Sequence, residues 1–429
     1  MALIDAPPEQ PANQPPPPPQ GQPSTPSWQK ALRLGGLVLL VAYIGVRGGL
    51  SWLAIIGAIV VMIFLHELGH YLTAKWAGMK VTQFFLGFGP RIWSFQRGET
   101  EYGIKAIPAG AYVKVIGMYN VDDVDPADEA RTYRQAKFHQ RVIMAAAGST
   151  MHFLLALGLI YAVLAGIGRQ EIDNWQVDEV SAGSAAEAVG LLPGDRLVSI
   201  DGESVRSWDD MADVVQPRRG ETVPVVLERD GRTTELTVTI GTNPDDPSRG
   251  QLGVSPDFPY ERVNALAAVP ETGREFGSLI WASTTGLVRM FTPSGLGSFA
   301  EQVAEGGPEE GQTGGATISE DDTRFISIYG AARLGVDLFG EGAAPALGFL
   351  AMLNIFIGLF NLVPLLPFDG GHIAIAVYER IQEARKRDGR RHFTDVARLM
   401  PLTYAVVLLL VAIGVSSIYL DVVNPINLP

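Results

Sequence analysis

The chain has 429 residues, 47% of them hydrophobic, yet its formal charge is −13. That combination fits apolar segments kept apart from an acidic soluble part, and the acidity argues against a nucleic-acid partner. There is no cysteine, which excludes disulfides and thiolate ligands, so any metal must be held by His, Asp or Glu.

Residues 1–27 are rich in Pro, Gln and Ser. This composition predicts a disordered tail, and it lacks the pattern of a cleaved signal peptide. Within residues 28–49, the short apolar run Leu34 to Val46 is either an additional span or an interfacial segment. A first core membrane helix is predicted over 50–75, apolar from about Leu50 to Leu72, near the ~20 residues that cross a bilayer. It carries His66-Glu67-Leu68-Gly69-His70. Histidines four apart share one helix face and suit two imidazoles on one zinc, while Glu67 is placed as general base for water. The alternative is a pair of ordinary core histidines. Ionisable groups inside a span are costly, however, and by default mark function. His66 lies about 24 Å past Leu50 in a core about 30 Å thick, so the group sits toward one membrane face.

Residues 82–118 alternate like strands. Arg91 to Phe95 and Tyr102 to Ile107 read as a hairpin, and Pro108-Ala109-Gly110 turns into a further strand, Ala111 to Ile116. A second span follows over 142–167. Residues 172–243 form an insert in which Val223 to Glu228 and Glu235 to Ile240 flank Asp230-Gly231, a strong hairpin signal. With Gly183-Ser184-Ala185-Ala186 and Leu192-Pro193-Gly194-Asp195, this insert resembles a bacterial PDZ domain. Over 262–340 the chain reads as amphipathic and then flexible: Arg274 to Phe291 suits the outer membrane face, and Pro293 to Asp322 is rich in Gly and Glu.

The third span, within 343–376, is apolar from Ala343 to Phe368 and leads into Asp369-Gly370-Gly371-His372. Pro364 and Pro367 interrupt the helix, and such backbone is tolerated at membrane depth only where it is buried in protein or lines a wet cavity. A catalytic zinc needs a third protein ligand. Asp369 arrives at the depth of the two histidines; the alternative is an Asp capping a helix start. The fourth span covers 400–420. Basic residues cluster after span one (Lys75 to Arg141) and between spans three and four (Arg380 to Arg391). Both stretches should therefore be cytoplasmic and the acidic insert extracytoplasmic. The basic run after span three is expected to touch anionic lipid. The expected fold class is a predominantly α-helical multi-pass membrane protein with a membrane-associated β-hairpin region and an extracytoplasmic, β-rich PDZ domain.

These residues together resemble the site-2 protease family of intramembrane zinc metalloproteases, in its bacterial PDZ-containing, regulator of sigma-E protease-like branch. The resemblance runs from about residue 50 to the end. It rests on His66-Glu67-x-x-His70, Gly87-Phe88-Gly89-Pro90, the PDZ-like insert, and Asn361-x-x-Pro364-x-x-Pro367-x-Asp369-Gly370. It implies Zn²⁺ on His66, His70 and Asp369, Glu67 activating water, and Asn361 holding the substrate backbone. It also implies a bacterial plasma membrane enzyme, active near the cytoplasmic side, that cuts pre-cleaved single-pass membrane proteins such as anti-sigma factors or signal-peptide remnants. The family commonly has Ala-Gly-Pro-x-x-Asn-Phe at the start of span two; here Ser149 and His152 replace the Pro and Asn. His152 either keeps a polar contact near the site or faces a neighbouring helix.

A spanning helix hides its amides in internal hydrogen bonds, so the Ala111–Ile116 edge is expected to hold an unwound substrate as an added strand. The insert is expected to screen substrates and exclude intact ectodomains. The competing readings are a catalytically inactive membrane-anchored PDZ scaffold, a metal transporter and a water-soluble zinc protease.

Overall fold

The computed structural model describes residues 27–118, 124–171, 174–244, 246–305, 325–386 and 391–423. The expected tail over 1–26, residues 306–324 of the Gly- and Glu-rich segment, and Arg387 and Arg390 lie outside the described residues. Four helices among the described residues are long and apolar enough to cross a membrane, within Ala31–Trp76, Phe138–Gly166, Ala343–Asn361 and Val396–Val423.

Helix α1, Ser27–Trp76, is broken at Gly49, whose φ of 76° and ψ of −172° are open to glycine. A Cβ on Gly45 would lie 3.0 Å from the Leu53 side chain. Residues eight apart in a straight helix stand ~12 Å apart along its axis, so the chain folds back sharply at Gly49. The first leg, 27–48, includes the apolar run Leu34 to Val46. It leaves Leu39 and Val46 71% and 84% exposed, as side chains facing lipid would be, and Arg33 donates 2.8 Å to the Arg91 carbonyl. The second leg, 50–76, carries the two histidines.

Strands β1, Val81–Arg97, and β2, Thr100–Val115, pair in three portions: residues 91–97 run antiparallel to 100–105 and 81–86 antiparallel to 111–115, while 83–88 lies beside 101–107 in the same direction. Phe84 lies opposite both Tyr102 and Val113, and Ser94 lies opposite Gly103. The long strands therefore fold into a curved sheet of four segments, in the order 91–97, 100–107, 81–88, 111–115. Its two edges are Arg91–Arg97 and Ala111–Val115. Glu99, at the 97–100 turn, bonds Arg131 (2.8 Å) and Lys75 (2.6 Å). These cations hold its carboxyl down to about 2, tying the hairpin tip to the end of α1.

Helix α2, Phe138–Gly166, is the centre of the helical core. The insert follows. Its four-stranded sheet runs 203–204, 196–200, 222–229, 232–239. The two longest strands join through Asp230-Gly231, both at positive φ, as a tight hairpin requires. Trp175, Ile200, Val225 and Leu227 lie in its core, and buried Asp195 pairs with Arg229 at 2.6 Å. The pairing extends beyond residue 243, because Val254–Asp257 pairs with Gln176–Val180 and Tyr260–Glu261 with Arg169–Gln170. These segments are short, and one contains Pro256, so they carry little alternation.

Residues 265–305 are helical: α3, Ala265–Met290, and α4, Pro293–Glu305. Phe276, Leu279 and Ile280 of α3 pack on Ala156, Ile160, Ala351 and Ile355. This stretch therefore lies along the membrane helices, where sequence composition suggests a surface segment. Helix α5, Ile328–Glu341, leads into α6, Ala343–Asn361; α7, Asp369–Lys386, and α8, Met400–Val423, complete the chain. Asp421 of α8 accepts from the Ser327 amide at the start of α5 (2.8 Å).

The start of α2 is joined to α7 by a buried ion pair, Arg141 to Glu379 at 2.6 Å. The Tyr133 ring lies 5.0 Å from the Arg141 guanidinium, and the Thr394 amide donates to Glu379 (2.6 Å). Glu379→Ala would leave Arg141 buried without its carboxylate, a change that costs about 3–5 kcal/mol. Thermal unfolding in detergent is expected to show that loss. Replacing both partners with Met and Leu is expected to recover most of it; equal loss in the double variant would assign the effect to packing.

Candidate metal and active site

The i, i+4 spacing of α1 places His66 and His70 together, and the loop between α6 and α7 brings Asp369 to them. That loop winds closely round the start of α7. A Cβ on Gly370 would lie 2.2 Å from the Leu362 carbonyl oxygen, so only glycine fits after Asp369.

Three donor atoms converge. His66 Nε2 and His70 Nε2 are 3.2 Å apart, and Asp369 Oδ2 is 3.5 Å from the first and 3.2 Å from the second. Four donors ~2.0–2.1 Å from a tetrahedral centre stand ~3.3–3.4 Å from one another, so the spacing suits zinc. Two further features fit the same ion. His70 Nδ1 lies 2.7 Å from the Met144 carbonyl oxygen, which can only accept. Nδ1 therefore carries the proton and Nε2 presents its lone pair to the site. Asp369 Oδ2 is buried with no hydrogen-bond donor, an arrangement that is costly without a cation.

The histidines rest on α2 at Gly148. A Cβ there would lie 2.3 Å from His66 Cε1 and 2.5 Å from His70 Nε2. His152, one turn further along, is 2% exposed and packs its ring 5.0 Å from that of His66. Its Nδ1 lies 2.8 Å from Asn354 Oδ1, while Asn354 Nδ2 donates to the Leu350 carbonyl. His152 thus takes both roles left open in the sequence: a polar contact beside the site and a tie to a neighbouring helix. Glu67 lies between the two histidines on α1. Asn361 is the last residue of α6, half-buried, and its side chain makes no hydrogen bond to the described residues.

Gly148 and Asn354 are not predicted from sequence. The Ala147-Gly148 dipeptide is the one available signal for Gly148, and Asn354 sits without a motif in the apolar run of α6. Arg141 and Glu379 read in sequence only as topology charges or ordinary polar residues.

A membrane-length helix that carries two histidines and the glutamate between them, with a carboxylate brought beside them by the loop after another such helix, has the make-up of a metal-dependent peptidase built into the bilayer. The family model described as Peptidase family M50 matches residues 54–307 and 321–408. The zinc metalloprotease Rip1 of Mycobacterium tuberculosis (strain ATCC 25618 / H37Rv) is 34% identical over 406 residues, 86% of this chain and 96% of the relative. The putative zinc metalloprotease R01501 of Rhizobium meliloti (strain 1021) is 32% identical over 345 residues, 75% of this chain and 84% of the relative. Among solved structures, the PDZ domain of an SdrC-like protein from Listeria monocytogenes covers 20% of this chain and 92% of its own, with 18% identity and a TM-score of 0.18. The chain belongs to peptidase family M50. It is a membrane protein and an intramembrane zinc metalloendopeptidase.

Proposed function

We propose that His66, His70 and Asp369 hold the zinc, that Glu67 is the general base, and that Asn361 holds substrate backbone. The observation that carries this reading is the convergence of two imidazole nitrogens and a buried, donor-less carboxylate oxygen within 3.5 Å of one another. Zinc bound there supplies a Lewis acid that polarises the scissile carbonyl and makes water a stronger acid. Glu67 takes a proton from the attacking water as its oxygen bonds to the carbonyl carbon. It then passes that proton to the departing nitrogen as the C–N bond breaks. Met144, through its carbonyl, keeps His70 in the ligating tautomer. The Asn361 amide is free to bond a substrate carbonyl or N–H.

The substrates proposed are single-pass membrane proteins already shortened by another protease, with anti-sigma factors first and signal-peptide remnants second. The charge pattern supports a bacterial plasma membrane orientation with the site near the cytoplasmic face and the insert outside. The leg 27–48 then adds a crossing from the cytoplasm, which keeps the second leg running inward. The insert, as a PDZ domain over about 172–243 with its closing strands to 261, screens substrates by the size of their ectodomains. Removing residues 172–261 is expected to permit cleavage of a single-span substrate whose ectodomain is intact. A truncated enzyme that cuts the shortened substrate and still refuses the intact one contradicts the screening role.

A further inference from the structure

Helix α7 runs from Asp369 to Lys386, and the chain returns along it from residue 391 into α8. Lys386 Nζ meets His392 Nδ1 at 3.4 Å, and Glu379 accepts from the Thr394 amide at 2.6 Å, so the two legs run in opposite directions. Between them is a cavity of about 710 Å³. On the α7 wall, Ala374, Ile375 and Tyr378 are followed by Gln382 and then Lys386. On the returning wall, His392, Thr394, Asp395 and Arg398 are followed by Leu399 and Leu402. Both walls therefore grade the same way, apolar beside the α6–α7 loop and polar at the far end. Leu365, Tyr378, Phe393 and Leu402 are exposed around it, as side chains facing lipid would be.

The two carboxylates in the cavity are already satisfied. Glu379 holds Arg141 and the Thr394 amide. Asp395 lies 3.3 Å from Arg398 and accepts from the Ala397 amide at 3.2 Å. The cations are not used up. Among the described residues no carboxylate pairs with Lys386, whose ammonium has three donors, and one carboxylate does not exhaust the five of the Arg398 guanidinium. The volume falls within the ~300–1,000 Å³ of sites for small ligands. A helix ~10 Å across fills ~420 Å³ in each 5.4 Å turn, so the cavity would hold fewer than two turns of a protein partner. A cationic mouth over an apolar floor, beside the ends of two membrane-length helices, suits an amphiphile with a negative head.

We propose that this cavity binds one anionic phospholipid of the surrounding leaflet, with its phosphate at Lys386 and Arg398 and an acyl chain against Ile375, Leu399 and Leu402. The floor also includes Leu365 and Leu366, which belong to the loop leading into Asp369. A Cβ on Gly371 would lie 2.7 Å from the Leu366 nitrogen, so loop and helix are in close contact there. A bound chain braces that loop. The binding is independent of the zinc assignment; only its consequence for Asp369 rests on that reading.

The test adds phosphatidylglycerol or phosphatidylcholine to the full-length chain in detergent and counts retained lipid by native mass spectrometry. The unaltered chain is expected to keep one phosphatidylglycerol about tenfold more tightly than phosphatidylcholine, the effect of two cations on an anionic head. Lys386→Glu with Arg398→Glu should abolish that preference. Arg380→Glu with Arg385→Glu makes the same change of charge outside the cavity and should keep most of it. Equal loss in the two pairs overturns the site, because the basic surface as a whole would then be the attractant.

Ala374→Phe leaves every charge in place and fills the apolar end, so it should lower phosphatidylglycerol retention as well; unchanged retention overturns the acyl-chain position. Hydrogen exchange on the unaltered chain needs no variant to fold. Bound phosphatidylglycerol should slow exchange of the Leu365 and Phe368 amides, which donate to the Val363 and Leu365 carbonyls at 2.7 Å and 3.0 Å. Lipid retained without that protection lies elsewhere and overturns the proposal. These readouts require neither zinc nor cleavage, so they stand apart from the roles of His66, His70 and Asp369.

Discussion

Gly148→Ala is expected to strip the chain of zinc and to lower peptide cleavage by at least about 10²-fold, although the position bears no ligand. The added Cβ would stand 2.3 Å from His66 Cε1, 2.5 Å from His70 Nε2 and 2.6 Å from His66 Nδ1. Neither ring can yield without leaving the arrangement in which three donors lie 3.2–3.5 Å apart. A displacement of ~1 Å is enough to cost about 10²-fold in rate. The control lies on the same helix. A Cβ on Gly158 would meet nothing within 4 Å, so Gly158→Ala should leave zinc and activity intact and stabilise α2 by about 0.5–1 kcal/mol. Zinc content by mass spectrometry, beside cleavage, separates the two. Full zinc in Gly148→Ala would mean that the rings and α2 have room the structure does not show.

Glu67→Gln is the second large effect, and its signature is the opposite: zinc stays and chemistry stops. The amide has nearly the shape of the carboxylate but takes no proton, so the expected loss in kcat is about 10²–10⁴-fold. Substrate affinity should change little, because the amide keeps nearly the volume and shape of the carboxylate. Asp369→Asn is a useful comparison, since it weakens a proposed ligand and should lower zinc content as well. Loss of zinc in Glu67→Gln, with Asp369→Asn unaffected, would assign the ligand and base roles wrongly.

The two variants show what was legible in sequence. His66, Glu67 and His70 lie on five consecutive positions of one helix, and helical periodicity alone puts both imidazoles on one face. Asp369 is 303 positions after His66, and the sequence pointed to it through the expected direction of the spans and the helix-breaking prolines; its carboxylate oxygen lies 3.5 Å and 3.2 Å from the two imidazole nitrogens. The β region was legible as alternation, including the turn at Pro108-Ala109-Gly110; that β1 and β2 pair in three portions was not, because register depends on tertiary pairing. Gly148 is a contact between helices and leaves no periodic trace. Arg274 to Phe291 reads as amphipathic in sequence, but the start of α3, its packing along the membrane helices and the helix α4 were hidden for a different reason. Their Gly, Thr and Ser content lowers helix propensity, and packing of Phe276, Leu279 and Ile280 on α2 and α6 outweighs it.

The most direct measurement is cleavage of a labelled single-span membrane protein by the purified chain in nanodiscs, with products mapped by mass spectrometry. It is run before chelation, after chelation, and after zinc is returned. A cut within the span that disappears with the metal, returns with zinc and is absent in Glu67→Gln is the predicted result. A cut that persists in the chelated chain, or at full rate in Glu67→Gln, would contradict zinc-dependent proteolysis at His66, His70 and Asp369.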